Sequence, residues 1–346
     1  MSSFRIYRSP VYLHLEETCR KMIRGSASPN TTNVWGDTPL HLACSIANYM
    51  CIEIILRLKP NLNIQNQIMC TPLNVFISKP PKNEVILKKL LEAGANPNIP
   101  DGDGYSPLHN LASQIETKKT KIFARLLVEY KANVNSQNNY KDTPLHIAIY
   151  EGKESLVEVL LESGASIDIP DVSGRTPMDK ALLDRFRYPR ILARLSIHLI
   201  ILYCCGFSVN LEHLEEVCKN SRFSNFKRRC EEEIRKLKVT IVGNSTVTYH
   251  DILVSPIPVV SRYLFNTSIL ASFAEFDIGQ SIFGPILKKK LEAASKHHQG
   301  LKKGIAAAEK IFPFLPYLCI DKLIEYLDID DCNNLDEACS FRTQIL

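Results

Sequence analysis

What this sequence has little of narrows it first. Neither sign of charge prevails: 42 basic residues face 37 acidic ones, a net charge of +5, too mild to point to nucleic acid. Long apolar runs are missing. The longest, Ile197 to Phe207, contains His198 and Gly206 and is too short to span a bilayer, so no membrane partner is expected. The opening residues MSSFRIYRSPVYLHLEETC are broken by Arg5, Arg8, Glu16 and Glu17, so no secretory leader is expected in them. No glycine loop suited to phosphate follows a strand-like run; Gly102 and Gly104 read as turn residues. The 11 cysteines are irregularly spaced and odd in number, which favours free thiols in a reducing compartment. No CxxC or HxxxH pair supports a zinc set from Cys218, Cys230 and His213. The basic group Lys288, Lys289, Lys290, Lys296, His297, His298, Lys302 and Lys303 lacks interleaved aromatics, so it reads as a solvated face. No enzyme, metal or cofactor is expected.

What is present is repetition. Thr38-Pro39-Leu40-His41, Thr71-Pro72-Leu73-Asn74, Ser106-Pro107-Leu108-His109, Thr143-Pro144-Leu145-His146 and Thr176-Pro177-Met178-Asp179 follow at offsets of 33, 35, 37 and 33. A Thr or Ser caps a helix, and Pro stands at its first position, where a missing N–H costs nothing. Second helices are expected from the apolar stripes Val85, Leu87, Leu90, Leu91 and Leu156, Val159, Leu160, Leu161. Each of these ends at a glycine, Gly94 or Gly164, where a left-handed residue is wanted. Leu127-Val128-Glu129-Tyr130-Lys131-Ala132 is a weaker copy of that close.

These residues resemble ankyrin repeats. The resemblance implies an all-α repeat solenoid with five units over 33–210, preceded by a shortened capping repeat over 1–32. It also implies protein binding through hairpin tips and the concave helix face. Asn74 and Asp179 depart from the motif histidine, and Phe76 and Leu111 from a small residue, so repeats two, three and five are expected to be less regular. The repeat histidines His41, His109 and His146 are expected to bond neighbouring turns. Three rings just before the Thr/Ser-Pro steps, Trp35, Tyr105 and Tyr140, are the candidate target contacts, because aromatic loop residues offer wide contact area for few frozen torsions. Each ring could also simply pack on a neighbouring tip.

Beyond Asn210 the period stops. Helices are expected over 211–219 and 223–238, the charge run KRRCEEEIRKLK lying on a solvated face of the second. VTIVGNSTVTYH (239–250) is β-branched and expected to be extended, and 251–346 to be helical. The pieces Tyr249–Leu253, Arg262–Asn266, Phe283–Lys290 and Leu315-Pro316, in that order, resemble the PRANC domain, which follows ankyrin repeats in poxvirus, parasitoid-wasp and bacterial-symbiont proteins. The chain then divides into a connector, 211–250, and a PRANC domain, 251–346. Ile320, Leu323, Ile324 and Leu327 share one helix face. With Leu315, Pro316 and Asp331 they resemble an F-box, here 312–342; Leu318 and Cys332 stand where an acidic residue and Leu are usual.

The resemblance implies docking on the Skp adaptor of an SCF-type cullin–RING ubiquitin ligase, a cytoplasmic or nuclear setting, and a monomer until the complex forms. The function implied is that of a substrate adaptor. Two alternatives stay open: the stripe packs within its own domain, or the repeats alone sequester a signalling factor of NF-κB type.

Overall fold

The computed structural model describes residues 10–78, 83–240, 242, 245–255, 260 and 281–311. The described residues open on α1, Pro10–Ile23, with Leu15, Cys19 and Met22 buried. Five helix pairs follow: α2 Pro39–Ser45 and α3 Tyr49–Arg57, α4 Pro72–Ser78 and α5 Glu84–Glu92, α6 Pro107–Ser113 and α7 Thr120–Glu129, α8 Pro144–Tyr150 and α9 Glu154–Glu162, α10 Pro177–Leu183 and α11 Pro189–Cys204. Then come α12 Leu211–Cys218, α13 Ser221–Val239, α14 Tyr249–Val254 and α15 Gly284–Ile311. Among the described residues there is no β-strand. None of the described helices is long and apolar enough to cross a membrane. The eight described cysteines form no disulfide.

The first helix of each pair starts at the proline of the motif. Thr38 Oγ1 accepts the His41 N–H, and His41 Nδ1 accepts the Thr38 N–H at 3.0 Å. The same reciprocal cap opens α6, α8 and α10 and satisfies donors that a helix start leaves free. Because a backbone N–H can only donate, Nδ1 must accept, and the ring proton sits on Nε2. That Nε2–H reaches the next repeat: His41 to the Cys70 carbonyl at 2.9 Å, His109 to Asp142 at 2.9 Å and His146 to Arg175 at 3.1 Å.

The departures from the motif bond differently. Asn74 Nδ2 donates to the Ile99 carbonyl at 3.2 Å. Asp179 has no proton to give. Its Oδ2 accepts the Thr176 N–H at 2.9 Å, and its Oδ1 meets His213 Nε2 from α12 at 2.8 Å. Asn210 and His213 stand 34 residues after Thr176 and Asp179, and Asn210 Oδ1 caps Glu212 and His213 as a motif threonine would. The repeat chemistry thus continues one helix past Asn210. All five first helices have seven residues. At the small-residue position held elsewhere by Ala43, Ala148 and Ala181, Phe76 is accommodated by stacking on Phe123 of α7, centroids 6.5 Å apart.

Stacking buries Leu40, Leu73, Leu108, Leu145 and Met178 almost completely. Successive first helices touch one another, as do successive second helices from α3 to α9, so the core is shared along the array. Asparagines bridge the far ends. Asn63 Oδ1 accepts the Asn96 N–H at 2.9 Å, Asn98 Oδ1 that of Asn133 at 2.7 Å, and Asn135 Oδ1 that of Ser166 at 2.8 Å. At the start, Asn30 Oδ1 accepts the Asn61 N–H at 2.8 Å.

Among the described residues one compact unit holds those up to Leu199 with Val209–Glu216, and a second holds Ile200–Ser208 and those from Val217 onward. In the second unit, Cys230, Ile234 and Leu237 bury one side of α13, while the pairs Lys227–Glu231 and Arg228–Glu232, each at 3.5 Å, occupy its charge run. Backbone bonds from Val242 to Val247 (2.8 Å) and from Tyr249 to Thr240 (3.2 Å) tie the segment before α14 to itself. Glu233 caps α15 from a distance, accepting the N–H groups of Ile282 and Phe283 at 2.9 and 3.3 Å and the Ser281 hydroxyl. The F-box-like segment 312–342 and Arg262–Asn266 lie outside the described residues.

Candidate target-binding surface

Five tips precede the five first helices: 33–37, 66–70, 101–105, 138–142 and 171–175. In each, the first residue is Asn or Asp, and its Oδ1 accepts the N–H groups of the third and fifth residues. Asn33 takes those of Trp35 and Asp37 at 2.8 and 2.9 Å; Asn138 takes those of Tyr140 and Asp142, both at 2.9 Å. Asn66, Asp101 and Asp171 do the same. The fourth residue is left-handed throughout: Gly36, Met69, Gly104, Lys141 and Gly174 have φ of 75, 58, 80, 57 and 76°. Adjacent tips are joined by the backbone: Gln67 N–H to the Trp35 carbonyl (3.0 Å), Gly102 to Ile68 (3.1 Å), Asn139 to Asp103 (3.2 Å) and Val172 to Tyr140 (3.1 Å).

This frame places the sequence candidates. The third positions are Trp35, Ile68, Asp103, Tyr140 and Ser173, one per tip. Trp35 is 66% exposed, Ile68 68% and Tyr140 56%, so two of the three candidate rings stand outward in one row. Tyr105 occupies a fifth position instead. Its ring is part-buried and tilted against His109, centroids 5.7 Å apart. It takes the packing role rather than a place in the row. Burial pushes the Tyr105 hydroxyl above the ordinary phenol range, with Asp142 adding to the shift.

Ile68, beside exposed Val34 and Met69, is absent from the sequence-derived site. Its signal was available. Counting three residues from each tip's Asn or Asp finds it, although Asn66-Gln67-Ile68-Met69-Cys70 has no glycine to mark the turn.

The closest set of metal-capable groups among the described residues is Asp142, His146 and Asp171, with donor atoms within 4.8 Å of one another. The Lys180 ammonium already sits between the two carboxylates, at 2.7 and 3.3 Å. His146 spends both nitrogens on Thr143 and Arg175. The set is an internal ion-pair network.

Comparison with known proteins agrees with this geometry. Residues 11–101 and 78–171 match the family model for ankyrin repeats, in three copies. Human Ankyrin repeat and SOCS box protein 16 is 29% identical over 48% of this chain and 44% of its own length. The Fowlpox virus Putative ankyrin repeat protein FPV024 is 29% identical over 44% of this chain and 26% of its own. The yeast Probable 26S proteasome regulatory subunit p28 is 34% identical over 44% and 66%. The chain therefore spans less than half the length of the first two. It carries ankyrin repeats, which are protein-interaction modules.

Proposed function

We propose that this ankyrin-repeat chain is a non-catalytic adaptor. Its repeats bind a target protein through the tip row, and its segment 312–342 docks on the Skp adaptor of an SCF-type cullin–RING ubiquitin ligase. The observation that carries target binding is the row itself: Trp35, Ile68 and Tyr140 stand exposed on tips fixed by side-chain and backbone bonds. Exposed aromatics on a rigid frame lose little entropy on binding. Two relatives are named for a SOCS box and as a proteasome regulatory subunit, which supports a place near protein degradation. The ligase half rests on the sequence pattern Leu315, Pro316, Ile320, Leu323, Ile324, Leu327 and Asp331. Each aliphatic anchor buried in a groove is worth roughly 1.5–3 kcal/mol before binding costs.

The test is co-purification of recombinant Skp adaptor with the full chain and with Leu323→Asp. Wild type should retain the adaptor, and the variant should lose it, because a carboxylate is costly in an apolar groove. Equal recovery, or none with either, sinks the ligase half. The second reading, a stoichiometric inhibitor acting through the repeats alone, is favoured by the tip row's being complete without residues 312–346; it would then stand.

A further inference from the structure

Tips one to three, 33–37, 66–70 and 101–105, contain three carboxylates, Asp37, Asp101 and Asp103, and no lysine or arginine, although the whole chain is basic. Tips four and five differ: Asp142 and Asp171 are both tied to Lys180. Asp37 and Asp101 meet only neutral amides among the described side chains, Asn66 Nδ2 at 2.7 Å and Asn110 Nδ2 at 3.2 Å. Asp103 is exposed and forms no ion pair among the described residues. The three charges converge on tip two, where Asp101, Asp37 and Asp103, after burial, all push the Cys70 thiol up to about 11. Exposed apolar side chains share the same place: Val34, Trp35, Ile68 and Met69. In the outward row Asp103 lies between Ile68 and Tyr140, and the backbone bonds of the ladder fix that order.

We infer that the first three tips bind a partner segment that presents a lysine or arginine flanked by apolar side chains. The cation sits at Asp103, with Asp101 and Asp37 adding to the field, and the apolar groups cover Ile68 and Trp35. This rests on the reading of the tips as the target surface and adds the chemical class of the target segment. An acidic segment is disfavoured because it would bring like charge against carboxylates that have no counter-ion of their own, and such mismatches are strongly selected against at interfaces. An apolar segment without a cation would desolvate Asp103 with no compensation.

The experiment selects random linear displayed peptides on the immobilised full chain. Enriched sequences are then titrated by fluorescence anisotropy as synthetic peptides. Three proteins are compared: wild type, Asp37→Asn/Asp101→Asn/Asp103→Asn, and Trp35→Ser/Ile68→Ser. The asparagine variant keeps its turns: Asp101 holds a capping position that Asn33, Asn66 and Asn138 already fill in other tips, and Asp37 and Asp103 enter the caps through their backbone N–H groups; circular dichroism verifies the fold of both variants. Enriched peptides should carry Lys or Arg among apolar residues. They should bind the asparagine variant about tenfold more weakly at low salt, with the difference shrinking as salt screens it, and should also weaken on Trp35→Ser/Ile68→Ser. Acidic or uncharged enriched peptides, unchanged affinity for the asparagine variant, or no enrichment would each overturn the proposal. If such peptides still lose affinity on Trp35→Ser/Ile68→Ser, the tips remain the target surface and only the cationic partner falls. If nothing enriched responds to Trp35→Ser/Ile68→Ser, the tip reading falls too.

Discussion

Three imidazoles, His41, His109 and His146, are held neutral by their bonds. A proton added at Nδ1 would point at the backbone N–H of Thr38, Ser106 or Thr143, which already donates there. Burial lowers the pKa of all three, more than their bonds to the next repeat's carbonyl raise it. The unfolded value is about 6.5, so the folded state binds fewer protons. The stability contribution is then full above that value and is lost as pH falls below it, through the lower folded pKa. Urea unfolding followed by circular dichroism should give a constant midpoint from neutral to mildly alkaline pH and a falling one on acidification below about 6.5. His146→Asn, which copies the bonding of Asn74, should fold and flatten part of that slope. A second residue-level effect lies at Lys131, exposed and left-handed with φ of 66°, where the equivalent closes use Gly94 and Gly164. Its carbonyl accepts from Asn98 Nδ2 at 2.9 Å, a bond that Lys131→Gly keeps. Removing the Cβ strain should stabilise by about 0.5–1 kcal/mol, read as a rise of about 2 °C in thermal midpoint.

Among the elements, α15 has its start set by a distant group. Glu233 of α13 satisfies two N–H groups and a hydroxyl that would otherwise go unpaired. Glu233→Ala should cost about 1–3 kcal/mol and speed amide exchange at the beginning of α15 ahead of that in α13; equal exchange with wild type would contradict this. Nothing in the sequence announces this contact, because Glu233 lies 49 residues from Ile282 within a charge run that reads as solvated. The repeat helices were legible for the opposite reason: cap, proline and third-position partner lie within four consecutive residues. The tips were half legible. Asp101-Gly102-Asp103-Gly104 reads as a turn, and Trp35 and Tyr140 read as outward rings. Tyr105 sits only two residues from Asp103, yet that offset turns its ring inward onto His109, a partner chosen by tertiary packing.

At the scale of the whole molecule, the sequence offered no apolar run long enough for a membrane-spanning helix, and the period located the array to within one helix of its end. What periodicity could not say was how the array ends, because Asn210 and His213 imitate the motif without its proline. Three internal joints use one chemistry: an imidazole Nε2–H meets the carbonyl that closes the tip of the repeat that follows. At this joint any unit carrying that donor in its first helix could be followed by any unit whose tip presents that acceptor, so the joint itself does not restrict which repeats stand side by side. Asp179 breaks the rule. An ionised carboxylate set against another carbonyl would repel it, and only a side chain such as His213 completes the contact. The acid is therefore a stop signal written in polarity: it leaves the series no way to lengthen by simple duplication at that end, and it commits the fifth repeat to the one helix that carries the matching imidazole.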